Sequence, residues 1–112
     1  MDYHTIIYLA HILFGLAWIY LGYYGLRKKI SPGLYKALIP IALAIIAYHG
    51  YKLVVSDYHR WVYLFHIFVI ALILGYVGYR KQATPQAIYY LIIIVGIIAI
   101  GYHGNILRQI WL

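Results

Sequence analysis

The chain has no cysteine, only two acidic residues, three prolines and one methionine in 112 residues. Each scarcity excludes something. Without cysteine there is no disulfide framework, no thiolate metal site and no c-type haem attachment. The two acids, Asp2 and Asp57, stand outside the long apolar runs, which argues against a carboxylate-bridged di-iron site. Met1 is the sole thioether, which argues against a soft Cu(I) relay. No Ser-His-Asp or H-E-x-x-H arrangement, Walker-type loop or potassium-filter sequence appears, so we expect no enzyme activity from the chain on its own. Asp, Glu, Lys and Arg make up 10% of the residues, whereas soluble domains carry about a quarter.

Apolar residues dominate instead, at 66%. A water-soluble fold of this size buries only about 60–70% of the surface it exposes unfolded, too little to hide that fraction. The composition points to an all-α integral membrane protein. Four apolar runs, about 6–26, 34–55, 61–79 and 87–107, each suffice for a helix crossing about 30 Å of hydrocarbon. Helices are expected over about 4–26, 34–55, 58–79 and 86–107. Ser31-Pro32 and Thr84-Pro85 read as N-cap plus N1-proline pairs. Asp2 and Asp57 read as caps of the first and third helices. Pro40 is expected to bend the second. The N-terminus lacks a basic region, and its apolar run is too long for a signal-peptide core, so the first span is read as retained.

The balance of nine Lys and Arg against two acids can signal nucleic acid, but here the cations flank the runs as topology signals do. Arg27, Lys28, Lys29, Lys36, Arg80 and Lys81 belong to one side; Lys52, Arg60 and Arg108 belong to the other. This predicts connectors 27–33 and 80–86 on the cytoplasmic side and both termini on the other. No nucleic-acid partner is expected. The expected partners are the lipid bilayer and either further copies of the chain or other membrane subunits.

The chain repeats itself. Asp2-Tyr3-His4, Tyr8, Leu9 and His11 match Asp57-Tyr58-His59, Tyr63, Leu64 and His66 at an offset of 55. Leu21-Gly22-Tyr23, Gly25 and Arg27-Lys28 match Leu74-Gly75-Tyr76, Gly78 and Arg80-Lys81 at 53. Tyr35, Ala42 and Tyr48-His49-Gly50 match Tyr89, Gly96 and Tyr102-His103-Gly104 at 54. We therefore read two tandem two-helix repeats, 1–55 and 56–112, related by a pseudo-two-fold axis along the membrane normal. The changing offsets imply small indels in the third helix and third connector.

All six histidines obey the repeat. His4 and His59 start their helices at the outer interface. His11 and His66 lie seven residues further in, or about 10 Å at 1.5 Å per residue. His49 and its mate His103 fall at a similar depth. His11, His49, His66 and His103 thus form an expected outer-half layer, one per helix, with small residues and tyrosines at heptad spacing on the same faces. Lone interfacial histidines commonly do nothing, and buried ones can simply make interhelical hydrogen bonds. Four in register suggest chemistry. Neutral imidazole suits copper, iron, zinc or b-type haem. His4, His59, Tyr8, Tyr63, Tyr48 and Tyr102 would line the mouth or hydrogen-bond the ligands. The remaining tyrosines and tryptophans, among them Tyr3, Tyr23, Tyr24, Tyr51, Tyr58, Tyr79, Trp61 and Trp111, read as interfacial belt residues.

The pattern His11-Ile12-Leu13-Phe14, Tyr20-Leu21-Gly22 and Tyr48-His49-Gly50-Tyr51-Lys52, echoed by Trp61-Val62, His66-Ile67 and Tyr102-His103-Gly104, resembles small uncharacterised four-helix membrane proteins of giant viruses and environmental sequences. That resemblance implies a fold but no activity. In size and class alone the chain is also similar to compact subunits of membrane oxidases and cytochromes. Three functions are expected to compete: metal or haem binding for electron transfer or metal handling, a histidine-gated ion or proton channel, and an accessory subunit of a larger membrane complex.

Overall fold

A computed structural model describes residues 2–57 and 59–112. Met1 and Tyr58, given roles above as thioether and belt residue, lie outside the described residues. The described residues contain no strand. The helices are α1 (Tyr3–Leu26), α2 (Pro32–Val55), a composite third helix and α5 (Gln86–Trp111). The third helix runs through α3 (Arg60–Phe65), a π-helical turn (His66–Ala71) and α4 (Leu72–Arg80), ending in a 3₁₀ turn (Lys81–Ala83). All four are long and apolar enough to cross a membrane. Large apolar side chains such as Leu13, Phe14, Phe68 and Leu72 are exposed along them, as lipid-facing positions require.

The helix ends follow from local chemistry. Asp2 accepts a hydrogen bond from the Thr5 backbone N–H at 2.8 Å, capping α1. That bond holds the Asp2 carboxyl below its ordinary pKa of 3.8. At the other end Lys29 N–H bonds Tyr24 O at 2.9 Å and Lys28 N–H bonds Gly25 O at 3.1 Å. This is a Schellman closure, with Lys28 at φ 56° in the left-handed position usually given to glycine. Ser31 Oγ caps α2 by accepting from Leu34 N–H at 3.2 Å, with Pro32 in the first turn. Pro40 sits exposed inside an uninterrupted α2.

Two expected caps are corrected. Asp57 does not cap the third helix. His59, at φ 57°, is its N-cap residue without a side-chain cap bond, and Asp57 lies 4.0 Å from Arg60 in an exposed ion pair. The chain leaves α2 at Val55 and re-enters helix only at Arg60, so the turn places Asp57 two residues before the cap position. Thr84 is likewise not the α5 cap. Its hydroxyl donates to Lys81 O at 2.7 Å, closing the 3₁₀ turn, and Pro85 takes the N-cap position. The last helix runs four residues beyond 107, to Trp111, because polar Arg108 and Gln109 end the apolar run without breaking the helix.

The chain forms two compact units, α1 with α5 and α2 with the third helix. Neither coincides with a sequence repeat, since each takes one helix from 1–55 and one from 56–112. In the first unit the helices meet through glycines. A Cβ added at Gly22 would lie 2.6 Å from Ile93 Cγ1 and 2.7 Å from Tyr89 O. One at Gly15 would lie 3.0 Å from Gly96 O, and one at Gly25 would collide with the Tyr89 ring. Residue numbers rise along α1 as they fall along α5, so the pair is antiparallel. Close approach through small residues is how helices gain contact where lipid offers no hydrophobic drive. In the second unit Leu38, Ala42, Ala71, Leu74 and Val77 are buried. Only Gly78 there is as tight, its added Cβ 2.8 Å from Ile39 Cγ1 and 3.1 Å from Tyr35 O.

The π turn has a geometrical consequence. Gly22 lies 11 residues after His11 and meets Tyr89 and Ile93; Gly78 lies 12 residues after His66 and meets the repeat-equivalent Tyr35 and Ile39. In an uninterrupted α-helix the extra residue would rotate histidine against glycine by about 100°. A π turn, bonding i to i+5, absorbs one residue. His66 and Gly78 therefore stand in nearly the same helical phase as His11 and Gly22.

Candidate metal site: two histidine pairs

Each unit holds one histidine pair. In the first, the His11 and His103 rings stack with centroids 4.7 Å apart and planes 24° from parallel. In the second, His49 and His66 stack at 4.3 Å and 7°, with one nitrogen of each within 4.8 Å of the other's. His49 and His103 are buried, and His11 and His66 are half-buried. Counting from the helix ends, His11 and His103 each lie eight residues in, and His49 and His66 each lie six residues in. At 1.5 Å per residue these depths are about 12 and 9 Å. Each pair is thus level within its own unit and lies about two turns inside its helices.

All four imidazoles are held in the same way. Nδ1 of His11 bonds Ile7 O at 2.7 Å, that of His66 Val62 O at 2.7 Å, that of His49 Ile45 O at 2.8 Å and that of His103 Ala99 O at 2.7 Å. A carbonyl oxygen only accepts, so each Nδ1 carries a proton, and in the neutral imidazole Nε2 is left with the lone pair. This is the outer hydrogen bond that orients metal-ligating histidines and makes them more basic. It also satisfies a polar N–H on an apolar helix, as a water-poor surrounding would require, which by itself accounts for part of the arrangement.

Tyrosines surround both pairs in matching positions. Tyr8 approaches His103 at 6.0 Å between centroids, and its repeat mate Tyr63 approaches His49 at 6.2 Å. Tyr48 and Tyr102 set their rings nearly perpendicular to His49 and His103, each at 5.1 Å. His4 and His59 are exposed. His4 lies in the first turn of α1 with its ring edge against Tyr3 at 5.8 Å, and His59 lies at the start of α3. The sequence-predicted ligands therefore divide as His11 with His103 and His49 with His66.

Sequence reasoning missed the π turn opening at His66, which has no residue signature. It also missed the cleft near Arg80 described below, because a folded 3₁₀ turn creates it. Stacked, face-to-face rings do not point nitrogen at nitrogen across a gap, so neither pair as it stands straddles a haem macrocycle. A small ion at the nitrogen edges suits them better. No protein-family model, curated protein or solved structure matches the chain, so the chemistry rests on its own residues.

Proposed function

We propose that this is an integral membrane protein of four spans whose histidine pairs bind a borderline transition-metal ion, zinc, copper or iron, through Nε2. Its role would be metal handling or electron transfer. The observation supporting this reading is the occurrence, twice, of a level pair of intramembrane imidazoles locked in one tautomer by the carbonyl four residues earlier. Ionisable groups inside spans are costly and mark pathways and sites. His11, His49, His66 and His103 are the proposed ligands. Tyr8, Tyr63, Tyr48 and Tyr102 pack the rings in place, and His4 and His59 stand where an ion would approach from the outer side. Two imidazoles leave coordination positions for water or an exchangeable ligand, as suits an ion taken up and passed on.

Elemental analysis of gently purified chain, followed by Zn²⁺ and Cu²⁺ titration in detergent, tests the reading. Binding weakened at least tenfold by His49→Ala and His103→Ala is expected, and the ion-to-chain ratio reports whether each pair serves its own ion. A metal-free protein whose stability ignores added Zn²⁺, Cu²⁺, Fe²⁺ and haem would overturn it. The competing readings have their own signatures. A proton pathway would give acid-dependent flux in metal-free liposomes, and an accessory subunit would co-purify with a larger complex in mild detergent.

A further inference from the structure

The α2–third helix unit carries a second feature at the end opposite its histidines. Pro32, Tyr35, Arg80, Lys81, Gln82 and Ala83 line a cleft of about 370 Å³. Pro32 opens α2 and Arg80 closes α4, so the cleft lies where two spans leave the hydrocarbon. Two of its six lining residues are cationic, and no acid lines it. The 3₁₀ turn makes it, because Lys81 at φ 52° turns the chain out of α4 and sets Gln82 and Ala83 beside the start of α2. Arg80 is steadied by a long bond from Nη2 to Ala83 O at 3.4 Å. Its guanidinium also lies 6.0 Å from the Tyr76 ring centroid. A guanidinium has five donors, so most of its fork remains to meet a bidentate oxyanion.

The repeat supplies a contrast. Arg27-Lys28 is the sequence equivalent of Arg80-Lys81 but folds otherwise. Arg27 Nη1 donates to Tyr23 Oη at 3.0 Å, and Lys28 closes α1. If the basic residues only set orientation, nothing requires one pair to line a cleft.

We propose that this cleft binds a phosphate oxyanion, Arg80 and Lys81 pairing with its oxygens and Gln82 supplying a neutral donor. At this depth the phosphate would come from an anionic phospholipid headgroup or from free phosphate in the adjoining water. Basic pockets between spans take lipid headgroups in this way.

The test uses the full chain in phosphatidylcholine nanodiscs doped with phosphatidylglycerol, compared with R80Q/K81Q and R27Q/K28Q variants. Circular dichroism serves as the control for helix content. Phosphatidylglycerol carried through detergent exchange is measured by mass spectrometry, and inorganic phosphate is titrated into lipid-free protein in a neutral detergent. Retention of about one phosphatidylglycerol per chain is expected. It should fall roughly thirtyfold in R80Q/K81Q, from loss of two interfacial cations, and little in R27Q/K28Q. Phosphate binding that only R80Q/K81Q abolishes, without lipid retention, would support the site with free anion as its source. Equal losses in both variants, or no binding of either probe, would overturn the proposal.

Discussion

The two units reach one histidine geometry by different packing. In the α1–α5 unit, glycines at 15, 22, 25 and 96 bring the helices so close that an added Cβ would meet a neighbour at 3.0 Å or less. In the α2–third helix unit Leu38, Leu74 and Val77 fill the seam, and only Gly78 is comparably tight. Yet the imidazoles stack at 4.7 and 4.3 Å, each with Nδ1 on its own helix. The difference teaches that depth and phase at the histidines are held while the far ends are free to diverge. The π turn is where the third helix reconciles its 12-residue spacing with the 11-residue spacing of α1.

Deleting one residue should break this equivalence most strongly, and asymmetrically. Removing Phe68 from the π turn leaves 11 residues between His66 and Gly78, a spacing that plain α-helix accommodates. The protein should fold, lose its i to i+5 bonds and keep its metal affinity. Removing Ala17 from α1 leaves ten residues between His11 and Gly22 and turns His11 by about 100° from the glycine seam. Metal affinity and thermal stability should both collapse. Titration and melting of the two deletions check this. Equal damage from both would mean that the π turn does not carry the phase.

A smaller effect comes from glycines that the sequence aligns and the structure separates. Gly22 and Gly75 are equivalent in Leu-Gly-Tyr, but a Cβ at Gly75 meets Ala42 Cβ at an ordinary 3.8 Å. Gly22→Ala should cost about 1–3 kcal/mol by overpacking. Gly75→Ala should be neutral or stabilising, since alanine is the better helix former by roughly 1 kcal/mol. Denaturation in detergent distinguishes the two.

Much of this was legible in the sequence. Run lengths predicted four helices, Ser31-Pro32 marked the start of α2, and counting along the chain put His49 near the level of His66, on which it stacks. The helix pairing was not legible, because a repeat tells which residues are equivalent and not which touch. His11 resembles His66 but stacks on His103. Nor was the phase correction. The 53 offset aligns Gly78 with Gly25, whereas its packing equivalent is Gly22, so the alignment hides the extra residue, and a π turn is written in no residue type. Asp57 misled for a related reason: Asp-Tyr-His is the same tripeptide twice, but in the second copy the turn out of α2 puts His59, not Asp57, at the N-cap.

Lys28 and Lys81 offer a milder test of how alike the two helix exits are. Both have positive φ, 56° and 52°, but Lys28 has a left-handed Schellman closure, whereas Lys81, at ψ −126°, lies outside that region. A left-handed residue costs about 1–2 kcal/mol, partly offset by the extra freedom glycine has when unfolded. Lys28→Gly should therefore stabilise by about 0.5–1 kcal/mol, and Lys81→Gly by more. Melting temperatures in detergent check the order. Equal gains would show that the two exits bear the same strain.

The smallest effect lies at the two Asp-Tyr-His copies. Asp2 holds its carboxyl below the ordinary 3.8 chiefly through the Thr5 backbone N–H. Its stabilising contribution is therefore complete above that value and is lost as the pH falls through the lowered one. The first turn of α1 should fray under acid, seen as faster amide exchange at Thr5, and Asp2→Asn should blunt that acid response. Asp57 caps nothing and meets Arg60 only across an exposed 4.0 Å, a pair of the kind salt readily screens. Asp57→Asn should therefore leave amide exchange in the first turn of α3 unchanged. If exchange there instead rose in Asp57→Asn, Asp57 would be acting as Asp2 does, and the turn out of α2 would not be what separates the two copies.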